Sequence, residues 1–184
     1  MHNTVHNKES LKENINVNNN TSAKKQTVRA LLVALAMVLT WLELQIHIGF
    51  MVPGMKLGLT NLVVMLALYK LSEKDAIFIN VVRILLVGFT FGNMFSMIYS
   101  LAGGLLSGLV MIILKRTGKM SMPAVSVSGG VAHNAGQIIV AMILMKTTAL
   151  LYYMVILWFS GIISGVIIGL ISAEVIKRIP KRVI

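Results

Sequence analysis

The sequence predicts an all-α integral membrane protein with six transmembrane helices in one bundle. Three observations predict it. The 184 residues are 57% hydrophobic and only 12% charged, whereas a soluble domain carries roughly 25% charged residues. Mean hydropathy is +0.83. The apolar residues come in blocks of roughly 15 to 27, long enough to cross a hydrocarbon core of ~30 Å.

Residues 1–23 are Asn-rich, charged and almost without large apolar groups, so they read as a disordered cytoplasmic tail ahead of a membrane domain over 24–184. No secretory leader is evident. His2 and His6 lie in that tail, and nothing near them supports a metal role. Apolar blocks and the breaks between them place the spans near Val28–Ile48, Leu57–Leu71, Ala76–Phe91, Met94–Leu114, Pro123–Met145 and Leu150–Ile176.

The first span has two chemically different faces. Ala36, Thr40, Glu43 and His47 share one side, and Ala30, Ala34, Met37 and Trp41 the other. The Ala-x-x-x-Ala pair permits close approach of another helix, either within this chain or from a partner. Next comes VPGMKLGLTN, residues 52–61, on which the rest of the chain turns. Pro53 and Gly54 break the helix. Lys56 then stands at the mouth of the second span, as an anion-binding gate requires. The competing reading is a tight loop whose lysine snorkels to headgroups. The second span, about 15 residues or ~22 Å, is too short to cross alone. Shortened spans beside a Pro/Gly break point to a transporter binding site.

The third span carries Arg83 near mid-membrane, where a cation costs at least ~2.5–3.5 kcal/mol and needs a partner. Glu43 is the one acidic side chain inside a span away from its ends. The two either form a structural pair or meet through water or ligand; their depths differ by ~10 Å, which favours the latter. Span four carries a small-residue stripe, Ser96, Ser100, Gly104 and Gly108, and span six carries Gly161, Gly165 and Gly169. Both read as packing seams without chemistry, and Tyr152, Tyr153 and Trp158 as interface anchors. Span five contains SGGVAHNAGQ. His133 and Gln137 share a face, Asn134 sits beside them, and Gly129, Gly130 and Gly136 leave room for something bulky. That cluster makes either interhelical hydrogen bonds or a pocket wall.

Charge sets the orientation. Lys24, Lys25, Arg29, Lys70, Lys74, Lys115, Arg116, Lys119, Lys177, Arg178, Lys181 and Arg182 fall on one side of the predicted spans; only Lys56 and Lys146 fall on the other. Both termini are therefore expected in the cytoplasm, with VPGMKLG outside. The net charge of +11 follows from these helix-end cations, so a nucleic-acid partner is not expected. No cysteine is present, which excludes disulfides and thiolate chemistry. A phosphate-binding Gly-x-x-x-x-Gly-Lys loop is absent. Asp75 is the only aspartate, so the carboxylate cluster a prenyl transferase needs for Mg²⁺ cannot form. No catalytic set, metal site or cofactor is expected.

Three runs, PGMKLGLTN, VRILLVGFTFGNMFSMIYSLAGGLLSGLVM and SVSGGVAHNAGQ, make the chain resemble the Gx transporter family. Its members are often described as heptaprenyl diphosphate synthase component I. That family resembles the substrate-binding S components of energy-coupling-factor transporters, bundles of six helices with cytoplasmic termini. The resemblance implies a cell-membrane protein that binds a small anionic or amphiphilic solute and works with a membrane coupling subunit and two ATPases. It also implies partner contacts at Ala30 and Ala34. Taken with the residues, it puts Lys56, Asn61, Arg83, His133, Asn134, Gln137 and Glu43 at the substrate. Two rival roles are an accessory subunit of heptaprenyl diphosphate or quinone synthesis and a membrane partner in a redox complex.

Overall fold

A computed structural model describes residues 2–45 and 58–180, with side chains from residue 19 onward. Its elements are α1 (His2–Gln45), α2 (Leu59–Lys70), α3 (Glu73–Thr90), α4 (Met94–Thr117), α5 (Met122–Met145) and α6 (Leu151–Arg178). The described residues contain no strand. Four helices are long and apolar enough to cross a membrane: α1 from Asn19, α4, α5 and α6. The predicted second and third spans differ from them for separate reasons. α2 has only 12 residues, and α3 carries Glu73, Lys74, Asp75 and Arg83 among its 18.

α1 runs back to His2, so the backbone is helical where the sequence predicts disorder over 1–23. No proline or glycine interrupts residues 2–45, and nothing in the backbone chemistry stops the helix there. The other ends follow local chemistry. Ser72 caps α3 by accepting from Asp75 N at 3.2 Å. Asn93 and Ser96 cap each other at the start of α4, and Ser121 caps α5 just ahead of Pro123.

The helices close a ring. α2 packs on α3, α3 on α4, α4 on α5, α5 on α6, and α6 returns to α2, while α1 lies against α2 and α3. α2 is the hub: Val63, Val64, Met65, Leu66, Ala67 and Leu68 are consecutive and all buried. A helix covered on every side shows no apolar periodicity, and being short it derives its stability from its neighbours. The core around it includes Val33 and Ala36 of α1, Ile79 of α3, Met111 and Ile112 of α4, and Val125 of α5.

Glycine brings α5 into backbone contact on two sides. A Cβ on Gly103 of α4 would lie 2.6 Å from the His133 carbonyl oxygen, and one on Gly136 2.9 Å from Gly103 Cα. On the other side, a Cβ on Gly130 would meet Gly161 O at 2.7 Å, and one on Gly165 would meet Val127 Cα at 2.6 Å. The predicted seam on α6 is therefore present. That on α4 is shifted: Gly103, one residue off the stripe, makes the α5 contact, Gly104 faces Asn80 and Ile84, and Gly108 meets nothing. The glycines of α5 that were expected to leave open space are mostly filled by neighbouring helices. Gly129 lies under the Met111 side chain and Gly136 against Gly103.

The helix-end cations gather at one end of the bundle. Asp75, fully buried, takes an ion pair from Arg29 and another from Lys25 at 3.1 Å, and accepts from Ser72 Oγ at 2.7 Å. Burial pulls its carboxyl up, but these hydrogen bonds outweigh it and hold Asp75 below the usual carboxylate range. Nearby, Lys115 donates to Leu68 O and Lys70 to Ile179 O, both at 2.6 Å. Arg116 pairs with Glu73. Arg29 also stands over the Phe78 ring, 5.9 Å from its centroid.

Candidate solute site in the bundle

The bundle holds a partly open cavity of about 90 Å³. Among the residues that the sequence selects, Glu43, Asn61, Arg83, His133, Asn134 and Gln137 all line it. They come from α1, α2, α3 and α5. Lys56, like His47, Pro53 and Gly54, lies outside the described residues. Ala30 and Ala34 are exposed on the far side of α1, beside Leu31, Val38 and Trp41, while Ala36 and Thr40 on the opposite side are buried.

Each charged wall is braced by a neutral group. Arg83 donates from Nε and Nη2 to Asn80 Oδ1, at 3.1 and 2.8 Å. Asn80 is itself buried and donates from Nδ2 to Gly104 O of α4 at 3.0 Å. A guanidinium carries five N–H donors in a fixed fork, so Asn80 occupies one edge. On the other wall, Glu43 Oε1 accepts from Gly58 N at 2.6 Å. Gly58 precedes α2 with φ at 73°, a left-handed backbone that favours glycine, and this turn aims its N–H at the carboxylate. No ion pair among the described residues joins Glu43 to Arg83. The direct structural pair that the sequence leaves open is not formed.

The cluster on α5 divides between the two readings left open for it. Asn134 donates from Nδ2 to Leu157 O of α6 at 2.6 Å, so its amide makes an interhelical bond at the edge of the cavity. His133 and Gln137 flank the α4–α5 crossing over Gly103 and reach the cavity from there.

Other walls are not singled out by the sequence. Ser100, read there as packing, lines the cavity along with Thr60 and Ser164. Thr40 lies 3.2 Å from Thr60, oxygen to oxygen, and donates to Ala36 O. The signal that could have found Asn80 is its spacing: three residues before Arg83, it shares a helical face with it. Among the described residues, no three His, Asp or Glu side chains gather to hold a metal.

No curated protein matches this chain, and neither does any solved structure. The sequence profile of one family, heptaprenyl diphosphate synthase component I, matches residues 32–175. That stretch holds α2 to α5 whole, most of α1's apolar half and every residue lining the cavity. With well over half of its length matched, the chain belongs to the heptaprenyl diphosphate synthase component I family.

Proposed function

We propose that this protein is the solute-binding membrane subunit of an uptake system, equivalent to the S component of an energy-coupling-factor transporter. In this reading all six helices are embedded, with α2 and α3 shielded by their neighbours, and both termini are cytoplasmic. The tail and membrane domain divide near residue 23. The basic end, where Lys25, Arg29, Lys70, Lys115 and Arg116 converge, is the cytoplasmic one, in keeping with the positive-inside rule. The solute is small and carries an anionic group, and ATPase subunits with a membrane coupling subunit supply the energy.

One observation carries the reading: a polar cavity inside an apolar helix bundle, lined by Arg83, Glu43 and the α5 cluster. Charges at membrane depth are expensive and mark functional sites. Arg83 is braced by a neutral carboxamide, so its charge stays available to an anion. Lys56 would guide that anion at the mouth. The α1 face bearing Ala30 and Ala34 would meet the coupling subunit.

Arg83→Gln tests this. Loss of a charge-assisted hydrogen bond should weaken solute affinity by ~1.5–3 kcal/mol, and Gln137→Leu by about 1 kcal/mol. Solutes and partners would be identified by mass spectrometry of the detergent-purified protein. Should Arg83→Gln lower the melting temperature but leave affinity in the folded fraction intact, Arg83 is structural and the site assignment is wrong.

The family's description favours a second reading: a non-catalytic membrane component serving a prenyl diphosphate synthase. A soluble prenyl transferase would then co-purify, in place of ATPases.

A further inference from the structure

We infer that the solute is a small zwitterion, its anionic end held by Arg83 and its cationic end by Glu43. The inference rests on the solute-binding reading and adds the chemical class. Glu43 and Arg83 are the two formal charges among the described cavity residues, and they are opposite. They face one cavity without pairing with each other. Their braces are neutral: the Asn80 carboxamide for Arg83 and the Gly58 N–H for Glu43. Neutral braces fix the position of a charge without cancelling it. Glu43 Oε2 takes no hydrogen bond within the described residues, and Asn80 occupies only one edge of the Arg83 fork.

Opposite charges held apart in a low-dielectric interior favour a ligand that presents both signs in reverse order. A simple anion would satisfy Arg83 but meet repulsion at Glu43, and a simple cation would meet the reverse. Hydroxyls of Thr60 and Ser164 and the Asn61 amide add neutral hydrogen-bonding groups to the same lining. The cavity volume of about 90 Å³ suits a molecule of a few heavy atoms.

The test uses the full chain purified in detergent and matched probe sets. These are free α-amino acids, which are zwitterions; their methyl esters, which are cations; and their N-acetyl derivatives, which are anions. At millimolar concentration, free amino acids should raise the melting temperature, while esters and N-acetyl derivatives should not. Glu43→Gln keeps an acceptor for Gly58 N, and should weaken the best amino acid at least tenfold while admitting its N-acetyl derivative. Arg83→Gln should admit the ester. If N-acetyl acids bind the unaltered protein as well as free amino acids do, the zwitterion is wrong but solute binding stands. If no class shifts the melting temperature, the inference falls, and the search for co-purified small molecules decides the broader reading alone.

Discussion

Asp75→Asn should loosen α1 from the rest of the bundle. The carboxylate is fully buried where α3 begins and holds Lys25 and Arg29 from 46 or more residues upstream. Removing one partner of a wholly buried ion pair costs ~3–5 kcal/mol. Here the Lys25 and Arg29 side chains are 47% and 32% exposed, so water recovers part of the loss. Asparagine also keeps the volume and an acceptor for Ser72. The expected loss is therefore ~2 kcal/mol, which for a chain of this size lowers the melting temperature by about 4–8 °C. Thermal unfolding in detergent, followed by circular dichroism, reads this out. A cycle with Arg29→Gln should show non-additivity of about 1 kcal/mol or more, because the two groups touch. The pH dependence has a definite sign. The folded carboxyl lies below its ordinary value, so its contribution is complete above about pH 4 and is lost as pH falls through the lowered folded value. A melting temperature within 1 °C of the parent, or an additive cycle, would refute the claim that this carboxylate ties α1 down.

The glycines on α4 should behave in opposite ways. Gly103→Ala drives a Cβ to 2.6 Å from the His133 carbonyl and should cost about 1–3 kcal/mol. Gly108→Ala meets nothing and borders a small void lined by Val64, Leu68 and Met111, so it should stabilise by up to ~1 kcal/mol through helix propensity; melting temperatures that reverse this order would contradict the packing. Ala30→Leu and Ala34→Leu lie on the exposed side of α1 and should abolish recovery of a membrane partner while the isolated chain stays folded; unchanged recovery rules that face out as a docking site. Reporter fusions after residue 22 and after Lys119 should read cytoplasmic and one near Lys146 external, and an external signal at Lys119 excludes six spans.

Much of this architecture is legible in the sequence because membrane helices announce themselves as uninterrupted apolar blocks. The ends of α4, α5 and α6 lie within three residues of the predicted ones. Charge in an apolar block is just as visible, which is why Glu43 and Arg83 stand out. Other features leave no local trace. α2 is covered on all sides, so its sequence carries neither periodicity nor a hint that it is the hub. Asn80 reads as one polar residue among many: its two bonds to Arg83 lie within α3, but the bond to Gly104 O that fixes it depends on a neighbouring helix. Asp75 looks like an ordinary first-turn acid. Its importance comes from cations on α1 that only the tertiary fold brings to it. The α4 stripe misleads because small residues lie on two neighbouring faces of the helix, Gly103 towards α5 and Gly104 towards α3.

The glycine contacts on both sides of α5 also divide the labour of movement. Where backbone touches backbone there is no side-chain layer to slide or re-rotamerise, so α4, α5 and α6 should move as one block. The α5 wall of the cavity, with His133 and Gln137, belongs to that block. α1, α2 and α3 meet one another through side chains of the core, so under the solute-binding reading access should come from their displacement as the moving half. Spin labels placed on the outer surfaces of α4 and α6 should keep their separation when solute is added. A pair spanning α1 and α5 should report the gate, and a change confined to the α4–α6 pair would assign the hinge to the opposite side.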